Sequence, residues 1–453
     1  MDGDLTRGNP ARVILIYSLP IILGNVFQQL YNVVDLIIVG RFISYQALAG
    51  VGITNGLTFF VLGFVLGITS GMAIRTAQLV GAGDLDGMRR SVATSLMLCL
   101  VTCVVLTVSS VLLARPFLRL IGTGEEIFDY AVNYLVIIYA GVSTQIAYNM
   151  IACILRALGD SRTPLYFLIF SSLLNIVIDL LFIVKFGMGV KGAAYGTVLS
   201  QGLSALLCFI YAFRKYPYLR LSAKDFKTSA RFIWEHLRIG LPMAFQMSII
   251  AIGIILLQAA LNAFPSTYIA GFTAANKIQN FGSLIAVSMG VAIANYVGQN
   301  YGAGYMSRVR QGVNVTLIIT LSACVVISIL MVALSRPLTS LFMTAGDIAG
   351  AASVDEIYSS SGKYLLVSAI FFPFLFALFI YRNALQGVGK TFWTLMAGIL
   401  ELVIRCATSF TLPVMFGYNG LIFVDVLAWV GACLLQMIAY YKVLPKLHPQ
   451  TLG

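Results

Sequence analysis

Along most of this chain apolar residues do not alternate with polar ones. They run in blocks separated by short polar turns, and a block of about 20 such residues is long enough to cross a bilayer core as a helix. The blocks fall at 13–39, 47–73, 91–113, 131–154, 165–184, 193–213, 234–261, 270–294, 313–334, 364–381, 393–416 and 421–443. They predict an all-α polytopic membrane protein of twelve transmembrane helices, with both chain ends on one side. The first block is too long for a cleavable signal, lacks a small-residue cleavage site and carries Asp35, so it is read as a permanent span.

Composition agrees: of 453 residues, 59% are hydrophobic and 10% charged, and the mean hydropathy is +0.92. The net charge of +12 would suit a nucleic-acid binder if the basic residues formed a patch, but they follow topology instead. Nineteen of the 29 Lys and Arg residues lie on the side of the N-terminus and seven opposite. By the positive-inside rule both termini are expected in the cytoplasm, with the protein in the cell's inner (plasma) membrane and no nucleic-acid partner. All seven cysteines fall inside predicted spans, where they read as packing residues.

The two halves repeat. Gln78-x-x-Gly81-Ala82-Gly83 returns as Gln299-x-x-Gly302-Ala303-Gly304, and Arg115-Pro116 as Arg336-Pro337, both displaced by 221 residues. Gly159-x-x-x-Thr163 answers Gly387-x-x-x-Thr391. Six helices per half make the repeats parallel, giving two pseudo-symmetric six-helix bundles facing a central cleft. The expected units are an N-terminal lobe over 1–213, a basic cytoplasmic linker over 214–233 that can lie on anionic headgroups, and a C-terminal lobe over 234–453.

Charge inside a bilayer needs a reason. Glu401 and Arg405 stand one helical turn apart and read as a structural pair; Arg75 reads as a snorkelling side chain, and Lys277 as a residue that pairs or lines the cleft. Asp35 and Asp179 have no basic neighbour on their helices. Counted from the outer span ends, Asp35, Asp179 and Thr197 share a depth of roughly 8–9 Å, and Asn175 lies one turn from Asp179. These four residues can hold a proton or cage a sodium ion. Their repeat partners are Leu256 or Leu257, Val403, Ala407 and Asp425, the last expected to be hydrated near a helix end, so the second half lacks the same site. Pro20, inside the first span, is expected to bend it. Gln28 and Asn149, polar within spans, are candidates for a substrate pocket wall.

Ala384-x-x-x-x-Gly389-Lys390-Thr391 imitates a phosphate-binding loop, but a membrane span precedes it where a strand would be needed, so no nucleotide is expected. The only histidines, His236 and His448, lie far apart, and no catalytic set appears; the chain is not read as an enzyme.

With its halves, Pro20 and Asp35 in span 1, the doubled Gln-x-x-Gly-Ala-Gly turns and the Asn175-x-x-x-Asp179 and Thr197 set, the chain resembles the multidrug and toxic compound extrusion (MATE) transporters of bacterial type over nearly its full length. The resemblance implies a V-shaped pair of bundles. It further implies antiport that exports small amphipathic, often cationic organic compounds, driven by protons or sodium bound at Asp35, Asn175, Asp179 and Thr197, with Pro20 permitting bending. No cofactor is implied beyond the coupling ion; the expected partners are a small organic molecule and the lipid bilayer, with the protein a monomer. Spans 7 and 10 carry Gln246 and Gln258 but no acid, which speaks against a second cation site. A lipid-linked oligosaccharide flippase is the alternative, and a membrane-embedded enzyme a more distant one.

Overall fold

The computed structural model describes residues 3–342 and 351–446. The described residues are almost wholly helical, without strands. In the first half α1 (Pro10–Phe42), α2 (Tyr45–Gly81), α3 (Leu85–Leu120), α4 (Glu125–Ala140), α5 (Val142–Ala157), α6 (Arg162–Leu180) and α7 (Val190–Lys215) follow one another. The second half contains α8 (Ala230–Leu261), α9 (Ser266–Gly302), α10 (Met306–Ala333), the short α11 (Ser335–Ser340), α12 (Ala351–Gly387), α13 (Thr391–Phe416) and α14 (Tyr418–Val443). Eleven helices are long and apolar enough to cross a membrane, and α4 with α5, bent by 48°, makes the twelfth span.

The helices begin where side chains can take the first free amides. Asn9 accepts from Ala11 N at 2.9 Å ahead of Pro10, Ser44 from Ala47 N at 3.1 Å, and Asp84 from Gly87 N at 2.7 Å. The doubled motif ends α2 and α9 in the same way. Asp84 N bonds back to Leu79 O at 3.1 Å and Tyr305 N to Asn300 O at 2.8 Å, across Gly83 at φ +74° and Gly304 at φ +79°, a left-handed turn that favours glycine. The sequence repeat is therefore a repeat of helix-ending geometry.

One apolar core is built from α2, α3, α4, α5 and α7, and another from α8, α9, α10, α12, α13 and α14. Helix α1 bridges the halves: Ile14, Tyr17 and Ile21 pack with Met289, Ile293 and Tyr296 of α9 and with Leu5 and Leu444, so the two described chain ends meet at one end of the bundle, while Ile38 and Val39 pack within the first half. The segment after α7 is less free than its basic composition suggested, because Tyr216 and Leu219 are buried in the first core while Lys224 and Lys227 stay exposed.

The halves meet along a glycine face of α2, where small residues let backbones approach. An added Cβ would stand 1.9 Å from Gln299 O at Gly81, 2.5 Å from Gly240 Cα at Gly71 and 2.4 Å from Met243 O at Gly67. At Gly63 and Gly56 the nearest atoms are 3.4 and 3.3 Å away, and at Gly52 nothing lies within 4 Å. The halves thus close at the end that holds the termini and separate toward the other.

Candidate functional site

Three helices bring the acids together. Asp35 lies on the buried face of α1 with Ile38 and Val39, Asn175 and Asp179 on α6, and Thr197 on α7 opposite them. All four are buried, Asp179 completely. Asn175 Nδ2 donates to Asp179 Oδ1 at 3.2 Å, and the Asp35 and Asp179 carboxyl groups are close neighbours. Asp35 Oδ1, Asn175 Oδ1 and Asp179 Oδ2 are buried with no hydrogen-bond partner in the protein. Buried acceptors of this kind are costly unless something binds them.

Sequence reasoning missed three contributors. Tyr31, one turn before Asp35, places its hydroxyl 3.5 Å from Thr197 Oγ1; Tyr134 of α4 faces Asp35, Tyr31 and Asp179. Gly196 gives Asp179 its room, because a Cβ there would stand 1.9 Å from Oδ1. Only the Tyr31–Asp35 spacing was visible as a pattern, and a tyrosine one turn from an acid is too common to single out.

Tyr31 also lines a central cavity of ≈ 340 Å³ between the halves, walled by α1, α2, α5, α6 and α7 on one side and α8, α9 and α12 on the other. Gln28, Asn149 and Pro20 are in its wall. Asn149 Nδ2 donates to Gln145 O at 2.8 Å, and Asn25 Nδ2 reaches Ser288 Oγ across the halves at 2.8 Å. Helix α1 is unbroken through Pro20.

Other intramembrane charges need correction. Arg75 does not snorkel; its Nη2 pairs with Glu235 Oε2 of α8 at 2.7 Å. Lys277 lies outside the cavity wall, exposed, with Nζ over the Phe342 ring. Glu401 and Arg405 do pair, at 3.8 Å, but within a larger network: Arg382 binds Glu401, and Arg405 Nε binds Asp425 Oδ1 at 2.9 Å. Asp425 is accordingly buried and paired rather than hydrated, since depth along a helix does not reveal which face it presents. In the second half Gln246 accepts from Gln386 at 3.2 Å and the exposed Gln258 bonds Asn262 at 3.0 Å.

Two helical lobes around a polar cavity, with buried acids beside it, form the architecture of a membrane transporter. The profile of the MatE family matches residues 20–181 and again 242–411, once in each half. The chain is 28% identical over 421 residues to the probable multidrug resistance protein YpnP of Bacillus subtilis, covering 92% of each. It superposes on a MOP superfamily transporter from Pyrococcus furiosus with a TM-score of 0.90, 24% identity and 98% of both chains covered. The same values describe its match to a MATE family transporter solved in an outward-facing conformation. The chain belongs to the MatE family.

Proposed function

We propose that this protein is a secondary antiporter that exports small amphipathic organic compounds against an inward flow of protons or sodium, by rocking of lobes 1–213 and 234–453 about the linker 214–233. The observation that carries the proposal is Tyr31, which touches Thr197 of the acid cluster and lines the central cavity. An ion entering among Asp35, Asn175, Asp179 and Thr197 must repartner the orphaned oxygens, and a shift of α1 or α7 to do so moves Tyr31 in the cavity wall. Pro20, which supplies no backbone N–H in the same helix, lets that shift be taken up as a bend. One unit of pH gradient contributes about 1.4 kcal/mol per proton.

With both termini in the cytoplasm of a plasma-membrane monomer, the closed end faces inward and the structure is outward-open. No cofactor, nucleotide or covalent step enters the cycle, so the protein is a transporter and not an enzyme. The expectation of a cationic cargo finds little support in the cavity, whose single charged lining residue among the described residues is Arg156. One arginine is also too few to recognise a lipid pyrophosphate, which disfavours the flippase.

The test is gradient-driven export in proteoliposomes, with a fluorescent organic cation and a fluorescent organic anion as cargoes and proton and sodium gradients imposed separately. Wild type transports under one gradient and Asp179→Asn loses at least about tenfold in rate, roughly 1.4 kcal/mol of barrier. Equal transport by the two proteins removes the assigned ion site.

A further inference from the structure

We propose that the central cavity selects an anionic, hydrogen-bonding amphiphile, held by Arg156, over an organic cation. The inference rests on the cavity being the cargo site.

Among the described buried or half-buried arginines, Arg75, Arg89, Arg382 and Arg405 each have a carboxylate within 4 Å, and Arg308, which has none, lies outside the cavity, bonded to Asn300 Oδ1 and Gly8 O. Arg156, in the last turn of α5, has none among the described residues. Its Nη2 contacts only Cys153 Sγ, at 3.2 Å, and its side chain is half-buried in the cavity wall. The acid nearest in sequence is already engaged: Asp160 takes Lys215 Nζ at 3.0 Å, Tyr216 Oη at 2.6 Å and Thr163 Oγ1 at 2.6 Å. Asp35 and Asp179 lie behind Tyr31 and are absent from the wall.

The rest of the lining is neutral and amide-rich, with one N–H each of Asn25, Asn149, Asn295, Asn383 and Gln386 already given to protein acceptors and a second left on each amide. Eight Asn and Gln side chains line the cavity, among them Gln28, Gln145 and Asn149, and Met243 and Met247 supply an apolar side. A guanidinium presents several donors in a planar fork suited to carboxylate or phosphate. An organic cation would meet that charge with no acid in the wall to offset it, whereas a flat, amide-bearing anion would satisfy the arginine, the amides and the methionine face together.

Equilibrium binding to purified protein in zwitterionic nanodiscs, with no gradient, tests this using riboflavin, riboflavin 5′-phosphate and rhodamine 6G. The first two share a ring system and differ by an anionic group. The expected order is the phosphate at least about tenfold tighter than riboflavin, as a charge-assisted bond allows, with rhodamine 6G weakest. Arg156→Gln collapses the phosphate advantage, Arg156→Lys keeps most of it, and Asn149→Asp shifts preference toward rhodamine 6G. Rhodamine 6G binding as tightly as the phosphate, an advantage unchanged in Arg156→Gln, or no binding of the phosphate overturns the proposal. Because no gradient is used, that result leaves antiport standing, and a failure of gradient-driven export leaves the binding order standing.

Discussion

Asp160 sits in the loop Gly159-x-x-x-Thr163, the first-half counterpart of Gly387-x-x-x-Thr391, and its carboxylate serves the protein's own groups. Besides Lys215, Tyr216 and the Thr163 hydroxyl, it accepts from the backbone amides of Arg162 and Thr163 at 3.1 and 3.0 Å. Burial raises its pKa, but these bonds outweigh burial and hold it below the ordinary value of 3.8. A depressed folded pKa gives stability that is complete above the unfolded value and lost as pH falls through the folded one. Asp160→Asn is therefore expected to cost about 2–3 kcal/mol at pH 7, with the difference from wild type closing as pH falls below the ordinary carboxylate value of about 4. Unfolding midpoints in detergent at pH 7, 5 and 3 read this out. The acid cluster was legible in the sequence because unpaired charges are rare in spans and depth can be counted from span ends. Asp425 was misjudged for a related reason: counting gives depth, whereas its partner Arg405 comes from another helix. Arg75 hid its partner in the same way, since Glu235 is 160 residues distant.

At the scale of the helix, α1 joins two demands. It packs on the second half through Tyr17 and Ile21 while presenting Asp35 to α6 and α7, and Pro20 lies within the first stretch, between Tyr17 and Ile21. Pro20→Ala restores a backbone donor and is expected to raise stability by about 1–3 kcal/mol. It should slow export by about tenfold through a stiffer helix, roughly 1.4 kcal/mol, with ion affinity little changed. Thermal midpoints and proteoliposome turnover on one preparation separate the two effects. The spans themselves were readable because a bilayer demands long apolar runs, although the helices outreach them: α2 has 37 residues, about 55 Å of helix for a core of about 30 Å. The bend between α4 and α5 was not readable. It falls at Gly141, where a Cβ would stand 2.3 Å from Val198 Cγ2, and a lone glycine in an apolar run carries no such message.

Across the whole molecule the doubled motif becomes a reciprocal clasp. Gln78 Nε2 reaches Gly387 O of the second half at 3.0 Å, and Gln299 Nε2 reaches Ala157 O of the first at 2.8 Å. Gly81 rests on the backbone of Gln299, and Gly302 on that of Gln78. The N-terminal segment joins them, Leu5 N donating to Gln299 Oε1 at 2.9 Å and Leu5 O accepting from Asn300 at 3.1 Å. The repeat was evident from sequence, but that its two copies grip each other was not, because periodicity does not say which surfaces meet. Gly81→Ala drives a Cβ into backbone that has no easy way to yield. It is expected to part the halves at this end, lengthening by several ångströms the distance between spin labels at Asp86→Cys and Arg310→Cys in a background lacking the native cysteines. An unchanged distance would mean that the clasp does not hold this end shut.

The Arg382, Glu401, Arg405 and Asp425 network has an electrical consequence. Two cations and two anions cancel, so displacing that lobe within the membrane field does no net work on these four groups. On the antiport reading proposed above, the voltage sensitivity of the cycle is expected in the first half, where a coupling ion carried past Asp35 and Asp179 would experience about 2.3 kcal/mol per charge for each 100 mV it crosses. On that reading the two halves, alike in backbone, divide the labour: the first is the electrode and the second, Lys277 apart, its insulated counterweight.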